Sequence, residues 1–234
     1  MPRKFSSVEV LPEAPPFDAE LVDRLGLPGI QFGSAMKLLP ACVNTDRLLP
    51  QDQEGVRTER GRLARMDGEL YYLPHDSVEP YPFRDQVFEW GYCEHFIEHL
   101  TLEEAVGWLG EVRRLLKPGG LLRLSTPDLR LYAGGYMDAE GEMFAKHREH
   151  LGRLRMFAEQ EVPGRPAWML NQIFFMWGHK WIFDIDEVRH AAALAGWDPE
   201  RVEQRAFQEG SEPQVAAFDL PGRRHESLYV EMRA

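Results

Sequence analysis

Glu89–Asp128 reads EWGYCEHFIEHLTLEEAVGWLGEVRRLLKPGGLLRLSTPD. Val87 to Tyr92 is a short apolar-rich run of the kind a buried strand needs. Glu94 to Leu100 leads out of it. Thr101 then opens a helix: its hydroxyl can accept from a free backbone N–H, and Glu104, three residues on, completes a capping box. Leu102, Ala105, Val106, Leu109, Val112, Leu115 and Leu116 recur at three and four, which makes one apolar helical face. Arg113, Arg114 and Lys117 fall in the last turn, where cations suit the helix dipole. Pro118-Gly119-Gly120 stops the helix, because proline cannot continue it and glycine takes positive φ freely. Leu121 to Ser125 is a second strand, closed by Thr126-Pro127-Asp128. Strand, helix and strand at this length form a βαβ unit with parallel strands and a right-handed crossover.

Upstream, Gly29 to Phe32 reads as a first central strand and Gly33-Ser34-Ala35 as a loop where backbone passes close to a ligand. Cys42 to Asp46 reads as the second strand. An acid at its carboxyl end, Asp46, can accept hydrogen bonds from ribose hydroxyls, as in dinucleotide folds. The short Gly33 to Asp46 spacing leaves room for little more than a turn of helix, unlike the roughly twenty residues of a standard dinucleotide fold. Leu48 to Gly68 is polar and irregular. Glu69 to Leu73 reads as a third strand, followed by Pro74-His75-Asp76-Ser77. Tyr81-Pro82-Phe83 then forms a turn.

LLKPGGLLRLSTPDL closely resembles the end of the fourth helix and the fifth strand of class I S-adenosylmethionine-dependent methyltransferases, and FEWGYCEHFIEHL resembles their fourth-strand segment. Ala41 to Asp46 is similar to the G-W-x-N-x-D element of one branch. His179-Lys180-Trp181-Ile182-Phe183-Asp184 matches the stretch before the last helix. The resemblance covers Gly29 to Asp128 well and His179 to Trp197 moderately. Two departures stand out: Ala35 replaces the second glycine of the family's G-x-G loop, and Glu89 stands where Asp is usual.

The resemblance implies an α/β fold: a Rossmann-like, doubly wound, seven-stranded sheet, mostly parallel with a C-terminal antiparallel strand, plus a helical insertion. It divides the chain into an N-terminal arm and helix (1–28), a cofactor-binding core (29–130), an insertion or lid (131–180) and a C-terminal helix with strands (181–234). It implies S-adenosylmethionine as cofactor, with S-adenosylhomocysteine as product. Gly33 and Ser34 would approach the methionine part, Asp46 the ribose and Asp76 the adenine, with Phe32, Arg47 and Ser77 also at the cofactor and Glu94 lining the pocket. His95 and His179 are the candidate general bases. Tyr132, Tyr136 and Trp177 are the expected substrate contacts, with Phe175 beside them. Arg201 to Gln208 and Glu226 to Met232 read as the terminal hairpin.

His95-Phe96-Ile97-Glu98-His99 also fits H-x-x-E-H, an inverted zinc-peptidase motif in which two histidines on one helical face bind Zn²⁺. The methyltransferase pattern holds the same three residues, so no metal ligand is assigned. Glu140 to Gln160, with His147, His150 and Phe157 along it, reads as a charged helix. Pro166 to Trp177 reads as an apolar one, more a core helix than a lid.

The chain has 234 residues and a net charge of −11. That charge disfavours nucleic acid and anionic membrane as partners, since both are bound through positive patches. Cys42 and Cys93 make neither a disulfide framework nor a four-ligand zinc set. No apolar run approaches eighteen residues and no secretory signal is seen, so a cytoplasmic protein is expected. The expected function is methyl transfer to a small-molecule O, N or C nucleophile. Cofactor binding without transfer, as in a cyclase or pseudoenzyme, is the alternative, and a zinc hydrolase a remote one. Oligomeric state cannot be read from the sequence.

Overall fold

The computed structural model describes residues 5–35, 37–138, 141–154 and 162–234. Its centre is one nine-stranded sheet in the order β1-β4-β5-β3-β2-β6-β7-β9-β8. The strands are β1 (Val8–Val10), β2 (Gly29–Phe32), β3 (Cys42–Asp46), β4 (Ala64–Met66), β5 (Leu70–Pro74), β6 (Phe88–Glu94), β7 (Leu116–Pro127), β8 (Val202–Arg205) and β9 (Ser227–Arg233). The block β5-β3-β2-β6-β7 is parallel throughout. β9 runs antiparallel to both β7 and β8. The chain reverses its strand order beside β2, and ligands of open α/β sheets bind at such a point.

The expected sheet of seven strands is therefore two short. β1 and β4 add an antiparallel edge outside β5. Each has three residues, too few for an alternating pattern to stand out in a polar stretch. A turn signal was present all the same: Asp67 and Gly68 both take positive φ, at 52° and 78°, and Asp-Gly is a strong hairpin turn.

The α-helices are α1 (Ala19–Arg24), α2 (Leu102–Leu115), α3 (Leu129–Met137), α4 (Glu142–Arg153), α5 (Pro166–Phe175), α6 (Ile185–Leu194) and the single turn α7 (Pro213–Ala216). α2 starts as expected. Glu104 N–H donates to Thr101 Oγ1 at 3.2 Å, and Thr101 N–H donates back to Glu104 Oε2 at 2.7 Å. It ends at Leu115, two residues before the expected Lys117. Proline drives the residue before it toward extended backbone, and Leu116, another residue back, is already extended (φ −79°, ψ 139°). Lys117-Pro118-Gly119-Gly120 thus lies inside β7, where the pairing with β6 shifts register between Phe88 and Trp90. Gly120 has to be small, since a Cβ there would stand 2.8 Å from the Lys117 carbonyl oxygen.

α2 and α6 cover one face of the sheet. Trp108, Leu109, Val112, Val188, Ala191 and Ala192 are all buried there, and Trp197 Nε1–H donates to the Leu109 carbonyl at 2.9 Å. Among the described residues no helix links β2 to β3, in keeping with the short Gly33 to Asp46 spacing. The opposite face instead buries Leu39, Cys42, Trp90, Tyr92, Leu121 and Val215, with Phe218 packed on them. Arg123 secures that cover. It is fully buried and meets Asp219 at 2.5 Å and Glu231 at 3.3 Å. It also donates to the carbonyls of Glu209 and Ala206 at 2.8 and 3.1 Å.

The insertion holds α3, α4 and α5. Glu140 to Gln160 was expected as one helix; α4 occupies Glu142–Arg153, and Phe157 lies outside the described residues. α5 is a core helix on its Met169, Gln172 and Ile173 side, packed with Tyr132, Phe144 and Ile182. None of the described helices is long and apolar enough to cross a membrane.

Replacing Arg123 by alanine leaves Asp219 and Glu231 buried without their cation. Loss of one partner from a buried ion pair typically costs about 3–5 kcal/mol. Urea unfolding of Arg123→Ala should show a drop of that size, whereas a drop below about 1 kcal/mol would mark the pair as surface-like.

Candidate active site

Two cavities lie at the carboxyl ends of the central strands and share a wall made by His95, His99 and Trp177. The larger, about 530 Å³, is lined by Gly33 after β2, Asp46 at the end of β3, Asp76 and Ser77 after β5, and Phe96 after β6. The smaller, about 250 Å³, is lined by Glu98, Tyr132, His147, Ile173, His179 and Glu226.

Backbone geometry shapes the larger cavity. Gly33 sits at φ 62°, and a Cβ there would lie 2.5 Å from the Phe96 ring. The missing side chain is what lets Phe96 close over the loop and stack edge-on against Trp108, with centroids 5.5 Å apart. Ala35 also takes positive φ, at 42°, a conformation that costs a residue with a Cβ roughly 1–2 kcal/mol. Its N–H donates to Asp46 Oδ2 at 2.9 Å, and Leu48 N–H donates to Asp46 Oδ1 at 3.2 Å. A carboxylate has about four acceptor sites, so Asp46 keeps capacity for two further donors.

The cavity gathers Gly33, Asp46, Arg47, Asp76, Ser77, His95 and Trp177 from the expected set. Tyr132 and His179 face the second cavity. Five others stand elsewhere. The Phe32 side chain is fully buried, edge-on between Tyr81 and Trp108. Ser34 is buried behind the loop. Glu94 is committed to the opposite face, accepting from Leu220 N–H at 2.8 Å and pairing with Lys37 at 3.3 Å. Tyr136 lines neither cavity and is half exposed; Phe175 is 83% exposed.

The two candidate bases differ in what their rings do. Ser227 Oγ–H donates to the Arg223 carbonyl at 2.8 Å, so it accepts from His95 Nε2–H at 2.7 Å. Arg223 Nη1–H donates to His95 Nδ1 at 3.1 Å. Both His95 nitrogens are thus engaged. His179 Nδ1–H donates to the Ile173 carbonyl at 2.7 Å, which leaves its Nε2 lone pair available. Burial pushes the His179 imidazole below its ordinary range, against an opposing pull from Glu98. It is therefore neutral at pH 7.

The zinc-peptidase geometry is absent. His95 takes a left-handed backbone (φ 48°), and only a single 3₁₀ turn, Ile97–His99, follows. The two histidines do not share a helical face.

Sequence reading missed a chain of hydrogen bonds in the smaller cavity. Trp177 Nε1–H donates to Gln172 Oε1 at 2.7 Å, and Gln172 Nε2–H donates to His147 Nε2 at 3.0 Å. His147 Nδ1 therefore carries its hydrogen, 3.1 Å from His225 Nε2 and 3.4 Å from Glu226 Oε2. Tyr132 Oη–H donates to Glu226 Oε2 at 2.6 Å. Burial lowers the His147 imidazole to about 4, Glu226 partly opposing it. Burial works to raise the Glu226 carboxyl, but His95, His147, Tyr132 and Arg223 hold it down at about 2. One signal was legible: His147 and Leu151, four apart on α4, fall on one helical face.

Residues 52–124 match the model of a family described as a methyltransferase domain. The matched stretch is similar to a methyltransferase domain. S-adenosylmethionine is the cofactor of that class. Asp76 and His95 lie within the matched residues; Gly33 and Asp46 precede them. No curated protein matches the chain. Among solved structures, a SAM-dependent methyltransferase from Archaeoglobus fulgidus is similar at 11% identity, over 92% of this chain and 93% of that one, with a TM-score of 0.46. A possible histamine N-methyltransferase from Thermotoga maritima is similar at 14% identity, over 91% and 86%, with a TM-score of 0.43. PigF with SAH is similar at 9% identity and a TM-score of 0.37, over 69% of this chain, which spans 35% of PigF. None of these likenesses says what this chain acts on.

The His147 network sets a pH dependence. Below pH 6.5 the unfolded chain protonates this histidine, while the folded chain resists until about pH 4. Stability must then fall as pH drops through that window. The shift corresponds to roughly 3 kcal/mol at about 1.4 kcal/mol per unit. Urea midpoints measured from pH 7 to pH 4 should decline, and His147→Gln should flatten part of the decline, with His150, His179 and His225, also lowered by burial, carrying the rest. An unchanged slope in the variant would place the titration elsewhere.

Proposed function

We propose that the chain transfers the methyl group of S-adenosylmethionine to a small-molecule nucleophile. The observation that carries this reading is the pair of cavities with a common wall. The larger has the acids and the glycine that a nucleoside ligand needs; the smaller lies behind His95, His99 and Trp177. A site of about 530 Å³ falls within the usual range of roughly 300–1,000 Å³ for small-molecule pockets. The smaller cavity, about 250 Å³, suits a compact acceptor. The net charge of −11 supports a small acceptor over nucleic acid.

In this reading Asp46 accepts from the ribose hydroxyls with the capacity left beside its two backbone donors. Asp76, whose Oδ1 takes only a long 3.4 Å bond from Val78 N–H, accepts from the adenine amino group. The loop at Gly33 runs against the methionine part. The cofactor supplies a methyl group already activated toward attack, so the protein's task is alignment and exclusion of water. Phe96 and Trp177 close the cavity at the reacting end. Residues 29–130 serve as the cofactor-binding core, 131–180 as the acceptor-side wall and 181–234 as the closing helix and strands. Cys42 and Cys93 are both buried and free, which supports a reducing, cytoplasmic setting.

Calorimetric titration with S-adenosylhomocysteine tests the reading. Wild-type protein should bind in the micromolar range. Asp46→Ala and Asp76→Ala should each weaken binding about tenfold to a hundredfold, as expected for a lost hydrogen bond to a charged group. Unchanged affinity in both variants would refute the assigned pocket. Tight binding with no transfer to any acceptor would leave the cofactor-binding, non-methylating alternative.

A further inference from the structure

Glu98, His99 and His179 place their ligating atoms within 4.8 Å of one another on the wall of the smaller cavity. We infer that these three residues hold a divalent transition-metal ion whose open positions face the acceptor.

The hydrogen-bond pattern supports this assignment. Glu98 is fully buried. Its Oε2 accepts from Thr126 Oγ1–H at 3.1 Å, but Oε1 has no hydrogen-bond partner. His95 Nδ1 is 3.3 Å away, and the same nitrogen lies 3.1 Å from Arg223 Nη1, which donates to it when the ring is neutral. A buried carboxylate oxygen with no donor is costly and calls for a cation.

The two histidines are prepared to help hold one. His179 Nδ1–H donates to the Ile173 carbonyl at 2.7 Å, and His99 Nδ1–H is directed at the Gly178 carbonyl at 3.4 Å. Each Nε2 is left as a lone pair. A ligating histidine almost always donates its other nitrogen in this way. The rings meet edge-on with centroids 5.0 Å apart. Ligand atoms about 2.0–2.2 Å from a common ion lie at most about 4.3 Å apart, so a small closing rotation completes the set. Two imidazoles and one carboxylate suit Fe²⁺, Co²⁺ or Zn²⁺ better than Mg²⁺.

The second group of suitable residues, His147, His225 and Glu226, is differently disposed. Its His147 presents an N–H, not a lone pair, to the others, because Gln172 donates to the far nitrogen. That group is closed by hydrogen bonds, whereas the first leaves Glu98 Oε1 without one.

The site does not depend on the methyl-transfer reading; only the ion's role as a docking point for an acceptor oxygen or nitrogen does. With an ion bound, His179 is a ligand and not a base.

The test titrates Co²⁺ into chelator-treated full-length protein, followed by visible absorption, with Zn²⁺ competition by calorimetry. Wild-type protein should bind one Co²⁺ per chain and show d–d bands that Zn²⁺ removes. Glu98→Gln, which keeps the buried shape, and His99→Ala should each weaken binding by more than about tenfold, with unchanged circular dichroism. His225→Ala should bind as wild type. Absence of saturable binding overturns the proposal. So does binding lost in His225→Ala but kept in His99→Ala. S-adenosylhomocysteine titration of the same proteins separates failure of the metal site from failure of the cofactor pocket.

Discussion

The burial of Glu98 is the constraint on which this site depends. Its backbone carbonyl accepts from Lys180 N–H at 2.8 Å and from Trp181 N–H at 3.2 Å, which ties the turn after β6 to the end of the insertion. Its side chain accepts from Thr126 on β7. One residue thus joins the carboxyl ends of two central strands to the segment that closes both cavities. The backbone turns sharply at His95 to deliver it there, and the strand ends beneath it are parallel and packed. A carboxylate is an expensive group for such a place. Its presence marks the location as chemical as well as structural.

Around that point the sheet divides the labour. β2, β3 and β5 end in Gly33, Asp46 and, two residues on, Asp76, all facing one cavity. β7 and β9 carry the elements that reach the other: Pro127 at the end of β7 and Glu226 just before β9 line it directly. The insertion then closes over it with Tyr132, His147 and Ile173. Trp177, at φ 67° beside Gly178 at φ 77°, belongs to both walls. A left-handed pair at the exit of α5 is a local cost that places an indole between the cavities.

Much of this was legible in the chain. The apolar face of α2, its capping box and the strand after it are local features, and local features show in sequence. The acids Asp46 and Asp76 were legible through the family resemblance and their places just after strands. Other features were not. β1 and β4 are too short to carry a period. KPGG reads as a helix stop followed by a turn, yet its residues stay in the strand, because β6 and the chain terminus at Ala234 supply pairing that no local pattern records. Glu94 looked like a cavity residue until Lys37 and the Leu220 backbone claimed it from the far face. The His147, His225 and Glu226 network joins His147 to residues 78 and 79 positions away, and its chemistry exists only once α4 brings His147 to the segment just before β9. The orphan oxygen of Glu98 is of the same kind, since only the assembled fold shows what a side chain lacks.

Two cavities share one wall, and the proposed function gives the larger to the cofactor and the smaller to the acceptor. A crystal structure of the protein grown with S-adenosylhomocysteine tests it most directly. The claim predicts the ribose against Asp46, the adenine beside Asp76, and the sulfur directed at the wall of His95, His99 and Trp177. A ligand turned away from that wall, or seated anywhere else, would contradict it.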